Sequence, residues 1–393
     1  MFEIDQDVLI VGASAAGLST AEALRRGGHC GRLTLLDAES GCPYDRPPLS
    51  KQLLSGQWTP SKTALRSREA LDGLGAEWVF GERAEHLETG ARSVRTSTGR
   101  VLTADAIVLT TGVTPRHLPG QESIQNAHVV RSLDDALRLK ARLRTDRHLL
   151  VVGNGVLGSE IASTAATMGV DVTLVGAAPA PMAAQLGDSV SSLLAEMHEK
   201  AGVRLIGGRR IAGIRQGWTG VHVTLDSGEV LSADDVVVAI GSRPADDWLA
   251  LSGLQLDDGI VCDAFCRAAP GIWAAGDVAR WDHPIVGSLR LENRSNAAEQ
   301  ALAVAADILG TGEPYSPIPY FWTDQHGVRI QVHGVIPAAA RLRITDGDPD
   351  SGRFVAIALT PDQERPVGVI GWGMPKQTRI RRTELETAMV PAL

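Results

Sequence analysis

Short, wholly apolar runs cut off by glycine recur along this chain. Val8 to Val11 stops at Gly12, and residues 18–26 follow with a helix-forming pattern. Runs that are apolar throughout, without polar alternation, belong to parallel strands covered on both faces. Residues 33–36 repeat the run and end in Asp37. A second unit opens at residues 149–152, stops at Gly153, and has its second strand over 170–175. The stretch 104–116, a buried strand stopped by Gly112 and Pro115, has a twin at 233–244, stopped by Gly241 and Pro244. Two related strand–helix–strand folds are therefore expected, too few and too divergent to form a repeat array.

Between these runs the pattern changes. Charged residues 61–74 predict an exposed helix, and alternating segments between Trp78 and Val101 predict a small antiparallel piece. Residues 293–309 are alanine-rich and predict a helix that packs closely. Pro314, Pro317 and Pro319 mark residues 311–319 as a linker, and strand-like runs at 328–332 and 354–359 predict a last α+β region.

The glycine stops carry the chemistry. A tight turn lets backbone approach a pyrophosphate, whose charge then sits at the N-terminus of the following helix. Gly12-x-Ser14-x-x-Gly17 has serine where a middle glycine is usual, with Ala15 and Ala16 keeping the turn small. Alone it fits an ordinary strand-to-helix turn as well as a dinucleotide site; Asp37, placed to cap a ribose, favours the dinucleotide. The second fingerprint is complete, Gly153, Gly155 and Gly158, with Val156 and Leu157 inside it and Glu160 after it. Its second strand ends at Gly176 where a ribose-binding acid is expected, and residues 177–185 offer no Arg or Lys for an extra phosphate. NADH is therefore expected in preference to NADPH. The loop 39–51 is stiffened by Pro43, Pro47 and Pro48 and carries Arg46 and Lys51, which excludes helix and central strand and suits an anionic ligand. A further apolar strand ends in Gly276-Asp277, which an Asx turn alone would also explain.

Composition narrows the classes. The chain has 393 residues, room for two or three domains. Its formal charge of -8, with acids and bases interspersed, gives no sign of nucleic acid or of an anionic membrane surface. No apolar run reaches spanning length and the sequence goes directly into a strand, so a cytoplasmic protein is expected. Cys30, Cys42, Cys262 and Cys266 have neither C-x-x-C nor zinc-site spacing, so no metal is expected.

Several motifs together resemble the FAD-dependent, NAD(P)H-oxidising ferredoxin reductases that serve bacterial Rieske oxygenases and cytochrome P450s. The loop from Pro43 to Lys51 is similar to that family's flavin loop, Thr110-Thr111-Gly112 to its post-strand FAD contact, and Ala275-Gly276-Asp277 to its second FAD motif. Tyr320-Phe321-Trp322-Thr323-Asp324-Gln325 is similar to the aromatic string that opens its C-terminal domain. The resemblance implies an α/β fold with two Rossmann-like domains of the glutathione-reductase type and a C-terminal α+β domain. It divides the chain into an FAD-binding domain (1–117 and 244–317), an NAD(P)H-binding domain (118–243) and a C-terminal domain (318–393). FAD would lie on Gly12, Ser14, Ala15, Ala16, Gly17, Asp37, Arg46, Lys51, Thr111, Gly112, Gly276, Asp277 and Trp322. NADH would lie on Gly153, Gly155, Val156, Leu157, Gly158, Glu160 and Gly241. Lys51, Glu160 and Trp322 would stand nearest the reacting rings.

The implied partner is a [2Fe-2S] ferredoxin held in a transient electrostatic complex, by a monomer or a homodimer. From Ile318 onward nine Lys and Arg face eight Asp and Glu, which makes Arg341, Arg379, Arg381 and Arg382, with Arg294, the candidate docking cations. Two rival readings differ in chemistry. Cys42 would serve a thiol-dependent NADH peroxidase or disulfide reductase, although the flavin-loop match begins at the next residue. A flavin-bound protein of the apoptosis-inducing-factor type would carry targeting or basic segments that this sequence lacks.

Overall fold

The computed structural model describes residues 5–362 and 365–389, and the chain divides into two compact units. The first comprises Met1–Asp45, Thr63–Thr114 and Arg243–Pro317; the second comprises Arg46–Lys62, Pro115–Ser242 and Ile318–Leu393.

A six-stranded sheet is the centre of the first unit, in the order Arg267–Ala269, Ile272–Ala274, Ala106–Leu109, Val8–Val11, Leu33–Asp37, Glu77–Phe80. All its pairs are parallel except the edge pair Arg267–Ala269 with Ile272–Ala274. Every residue of Val8–Val11 and of Ala106–Leu109 is buried, which explains why these strands carry no polar alternation. The helix Ala15–Arg26 packs against the helix Arg294–Ile308, whose Ala297, Ala301 and Ala305 are buried and permit the close approach. The exposed helix expected over 61–74 is shorter than its charge pattern suggested. A 3-10 turn, Pro60–Thr63, precedes it, and the helix Arg68–Asp72 starts only where the Ser67 side chain accepts from Ala70 N.

Two five-stranded sheets organise the second unit, beside a smaller antiparallel one formed by Ile211–Gln216, Val221–Leu225 and Val230–Ala233. One has five parallel strands in the order Arg204–Ile206, Asp171–Val175, His148–Val152, Asp235–Val238, Ala127–His128. The other is antiparallel, in the order Tyr320–Gln325, Val328–Gly334, Pro366–Trp372, Arg353–Leu359, Arg341–Asp348, and is followed by the helix Pro375–Met389. A helix of the parallel sheet, Ala183–Lys200, shares a core with the antiparallel one: Leu186, Val190 and Leu194 pack with Ile330, Val332, Phe354 and Ile370. The segment 46–62 precedes the second fingerprint by almost a hundred residues, yet it belongs to this unit. Arg46 Nη1 donates to Arg131 O at 2.6 Å, and Thr164 Oγ1 donates to Ser50 O at 2.7 Å. The proline loop expected to be free of helix contains one 3-10 turn, Pro47–Ser50, because proline suits the first helical positions.

Candidate active site

In the first unit the turn after Val8–Val11 is built by exclusion. Gly12 has φ +103°, and a Cβ there would stand 2.4 Å from Thr110 O. A Cβ on Gly17 would stand 1.8 Å from Gly12 O, so only glycine lets the helix start so close to the strand. Thr110, which sequence reasoning passed over for its neighbour Thr111, clamps the turn with its hydroxyl 2.7 Å from Gly12 O. Thr111 gives its hydroxyl to Ala245 O at 2.9 Å, and Gly112 O accepts from Ala245 N at 2.9 Å. Ser14 is the N-cap in extended conformation and makes no capping bond. No acidic residue lies in the first helical turn. The amides of Ala15, Ala16 and Gly17 therefore stand at an uncapped helix N-terminus that could hold an anion, with the helix dipole behind it. Asp37 is fixed beside this turn: Oδ2 accepts from Ala13 N at 2.6 Å and Oδ1 from Glu39 N at 2.8 Å. Gly276 meets the same helix, since a Cβ on it would lie 3.0 Å from the Ala16 Cβ, and half-buried Asp277 follows.

The second unit repeats the device. Gly153 has φ +107° and a Cβ there would meet Ala239 O at 2.1 Å, while a Cβ on Gly158 would meet Gly153 O at 1.8 Å. Gly155 is the N-cap, with open space where its Cβ would be and no capping side chain, ahead of the amides of Val156, Leu157 and Gly158. Gly241 closes the twin strand at φ +94°, its carbonyl accepting from Arg116 N at 2.9 Å. Both turns are thus uncapped, glycine-lined cradles that fit a pyrophosphate.

At the end of the second strand Gly176 has its own steric reason. A Cβ on it would stand 2.1 Å from the Asn154 side chain, which donates to Ala178 O at 2.8 Å. Arg209 N donates to Gly176 O at 3.0 Å. This exposed arginine is the cation near the turn that scanning residues 177–185 missed, because it follows the third strand instead of the second.

Beside the second cradle lies a buried ionic cluster. The helix Val156–Thr167 presents Glu160, 4% exposed, and its Oε2 accepts from Lys51 Nζ at 2.7 Å and from Ser50 Oγ at 2.6 Å. Its other oxygen accepts from Thr323 Oγ1 at 2.8 Å. Three donors on two oxygens offset the cost of holding a carboxylate out of water. Strand alternation brings Thr323 there: in Tyr320–Gln325, Thr323 and Gln325 are buried, whereas Trp322 points to the other face, half-buried and stacked on Tyr320. Lys51, Glu160 and the second cradle are brought together; Trp322 does not join this cluster. Ser50, Thr323 and Gln325 were not singled out in the sequence.

The other candidates are distributed differently. Arg381 pairs with Asp346 at 2.8 Å and with Glu384 at 2.5 Å, and Arg382 pairs with Glu386 at 3.0 Å. Arg294 pairs with Asp45 at 2.5 Å. Arg294 and Arg381 are part-buried in their ion pairs, whereas Arg382 lies exposed in a pair along its helix, and Arg379 is exposed. Cys42 and Cys30 are exposed free thiols, and Cys262 and Cys266 are buried. Burial pushes the Cys262 thiol well up and the Cys266 thiol up to about 12, so neither is a thiolate nucleophile. Among the described residues no group of three or more His, Cys, Asp or Glu could hold a metal.

Comparison with known proteins agrees with this arrangement. Residues 6–301 match the family described as pyridine nucleotide-disulphide oxidoreductase, and residues 320–392 match the family described as reductase C-terminal. Rhodocoxin reductase of Rhodococcus erythropolis is 33% identical over 97% of this chain and 90% of its own length. The ferredoxin–NAD(+) reductase component of the p-cumate 2,3-dioxygenase system of Pseudomonas putida is 32% identical over 95% of this chain and 92% of its own. Among solved structures, the covalent putidaredoxin reductase–putidaredoxin complex matches with a TM-score of 0.92 at 29% identity, covering 98% of this chain and 94% of that one.

Proposed function

Since the chain belongs to the pyridine nucleotide-disulphide oxidoreductase family and within it to the ferredoxin reductases, we propose that it oxidises NADH and delivers the electrons to a [2Fe-2S] ferredoxin that feeds an oxygenase or cytochrome P450. The observation that carries this reading is the presence of two uncapped glycine cradles, each after a parallel strand of its own sheet, in a chain whose four described cysteines are all unpaired. Two dinucleotides suit a flavin and a nicotinamide, and the lack of a cysteine pair disfavours thiol–disulfide relay. Bound FAD supplies the step from electron pair to single electrons.

The chain's own residues supply binding and electrostatics. We assign the FAD pyrophosphate to the amides around Gly12, Ser14, Ala15, Ala16 and Gly17, its ribose to Asp37, and its ribityl chain to Asp277, with Thr111, Gly112 and Gly276 shaping the turns. The family resemblance adds Arg46, Lys51 and Trp322. The nicotinamide dinucleotide falls to Gly153, Gly155, Val156, Leu157, Gly158 and Gly241. Lys51 holds a positive charge at a fixed, buried position and Glu160 fixes its direction, which suits stabilisation of negative charge developing on a reduced ring. On this reading 1–117 with 244–317 serves FAD, 118–243 serves NADH, and 318–393 completes the reductase. The exposed cations Lys376 and Arg379 on the last helix would steer an acidic ferredoxin into a transient, salt-sensitive complex. The enzyme would work in the cytoplasm, where NADH is supplied.

Absorbance titration of the purified protein with NADH, and separately with NADPH, tests the reading when followed by mixing with [2Fe-2S] ferredoxins. Bleaching of a flavin band by NADH and cytochrome c reduction only with ferredoxin present are expected. A protein without flavin, or one that reduces disulfides instead, overturns it.

A further inference from the structure

A line of hydrogen bonds leaves the Glu160 carboxylate and runs through the second unit to His326. Thr323 Oγ1 lies 2.8 Å from Glu160 Oε1, and Gln325 Nε2 lies 3.0 Å from Thr323 Oγ1. His198 Nε2 lies 2.8 Å from Gln325 Oε1, and His326 Nε2 lies 3.1 Å from His198 Nδ1. Thr323, Gln325 and His198 are buried, and the two imidazoles meet edge to face with centroids 4.6 Å apart. The end of the line is pinned by the backbone. His326 and Gly327, at φ +47° and +77°, form the two-residue hairpin loop between Tyr320–Gln325 and Val328–Gly334. His326 N donates to Ser163 Oγ at 2.7 Å, on the same helix as Glu160.

The direction of every proton in this line follows from its first member. A carboxylate only accepts, so Thr323 spends its one hydroxyl proton on Glu160 and must accept from the Gln325 amide nitrogen. Met182 Sδ, 3.2 Å from the same nitrogen, fits that amide orientation. Gln325 Oε1 then faces His198, whose Nε2 must carry a proton. Burial drives the His198 ring down to about 4, so it is neutral near pH 7 and its Nδ1 accepts. His326 is left with its proton on Nε2. One carboxylate charge thereby fixes an amide and two tautomers.

We propose that His198, acting through Gln325 and Thr323, is a positioning residue that holds the Glu160 carboxylate, and with it the Lys51 ammonium, in the orientation used for hydride transfer. The inference rests on the assignment of Lys51 and Glu160 to that reaction. A merely space-filling histidine would need no particular tautomer and no link to the carboxylate; this one has both partners set.

Nitrogen-15 spectra of the FAD-loaded protein at pH 7.5, with His198→Gln and His326→Gln as assignment variants, read the tautomers directly. Neutral rings with the proton on Nε2 are expected at both positions. Thr323→Val removes the donor to Glu160 at nearly constant volume. It should mix the His198 tautomers and shift the flavin potential, and slow flavin reduction by NADH roughly tenfold or more, since small misplacements near reacting atoms are costly. His198→Leu, which leaves Gln325 Oε1 without its donor, should slow reduction likewise, and His198→Gln, which keeps one, should restore most of the rate; a His198→Leu protein that reduces its flavin at the normal rate overturns the proposal. A proton on Nδ1 of His198 in the unmodified protein, or a Thr323→Val protein with unchanged tautomers, potential and reduction rate, overturns the proposal. Failure of NADH to reduce the unmodified protein would overturn the functional reading and the role in hydride transfer, while the tautomers, measured without NADH, would still decide the hydrogen-bond line.

Discussion

Lys51 Nζ and Glu160 Oε2 lie 2.7 Å apart, with side chains only 10% and 6% exposed, in segments of the chain that no local pattern connects. Breaking such a pair from one side strands a charge in the interior. Lys51→Met should destabilise the protein by about 3 kcal/mol, as removing one partner of a buried pair commonly does. It should also slow flavin reduction by NADH in stopped-flow traces. Adding Glu160→Gln should recover the melting temperature without recovering the rate. If Lys51→Met alone reduces its flavin at the normal rate, the cation has no part in the chemistry.

The two cradles can be told apart by the smallest possible substitution. Alanine at Gly17 or at Gly158 would place a Cβ 1.8 Å from a backbone carbonyl in each case. Gly17→Ala should purify with little flavin. Gly158→Ala should keep its yellow colour and lose affinity for NADH by roughly tenfold or more, a cost of about 1.4 kcal/mol or greater. The opposite pattern would exchange the two assignments.

Gly176 offers a check on nicotinamide choice. Gly176→Asp, which restores the usual ribose-binding acid, would drive its Cβ into Asn154 and break the bond from Asn154 Nδ2 to Ala178 O. The expected result is a weaker NADH complex, not a tighter one. Gly176→Asp with Asn154→Gly should relieve the clash and bind NADH at least as well as the unmodified protein. A tighter complex in the single variant would show that Asn154 moves aside freely.

Acid should loosen the second unit before it reaches the carboxylates. Burial drives His198 and His333 down to about 4. In the unfolded chain both rings titrate near 6.5, so between that pH and 4 the unfolded state binds protons that the folded state refuses. Stability is fully present above pH 6.5 and declines as pH falls through this window, by up to about 3 kcal/mol per ring. Urea unfolding at pH 7.5, 5.5 and 4.5 reads the slope, and His333→Gln should flatten it. An unfolding free energy independent of pH across that range would mean that the rings are solvated in the folded protein.

The parts of this molecule that sequence reasoning reached are those written within a dozen residues. Val8 to Gly17 and Leu149 to Gly158 announce strand, turn and helix because apolar run, glycine and small residues are contiguous. Asp37 was legible as well, since a strand end fixes where an acid points. What stayed hidden depends on partners far along the chain. Arg381, on the last helix, looked like a free cation until Asp346, on the strand Arg341–Asp348, took it up. Thr323 could have been found: alternation in Tyr320–Gln325 already separates Thr323 and Gln325 from Trp322, and the prominence of the tryptophan drew attention to the opposite face. His198 gave no such hint, because a histidine among Val190 and Leu194 on a helix reads as core.

The core shared by Ala183–Lys200 and the antiparallel sheet sets a limit on how this chain can be cut. A fragment ending at Pro317 would keep both cradles and look, on paper, like a minimal two-nucleotide protein. It would also turn Met182, Leu186, Val190 and Leu194 toward water and take Thr323 away from Glu160. The last strands are therefore no appendage to be trimmed or exchanged between relatives. Any chimera must carry that helix and those strands together, as one inheritance.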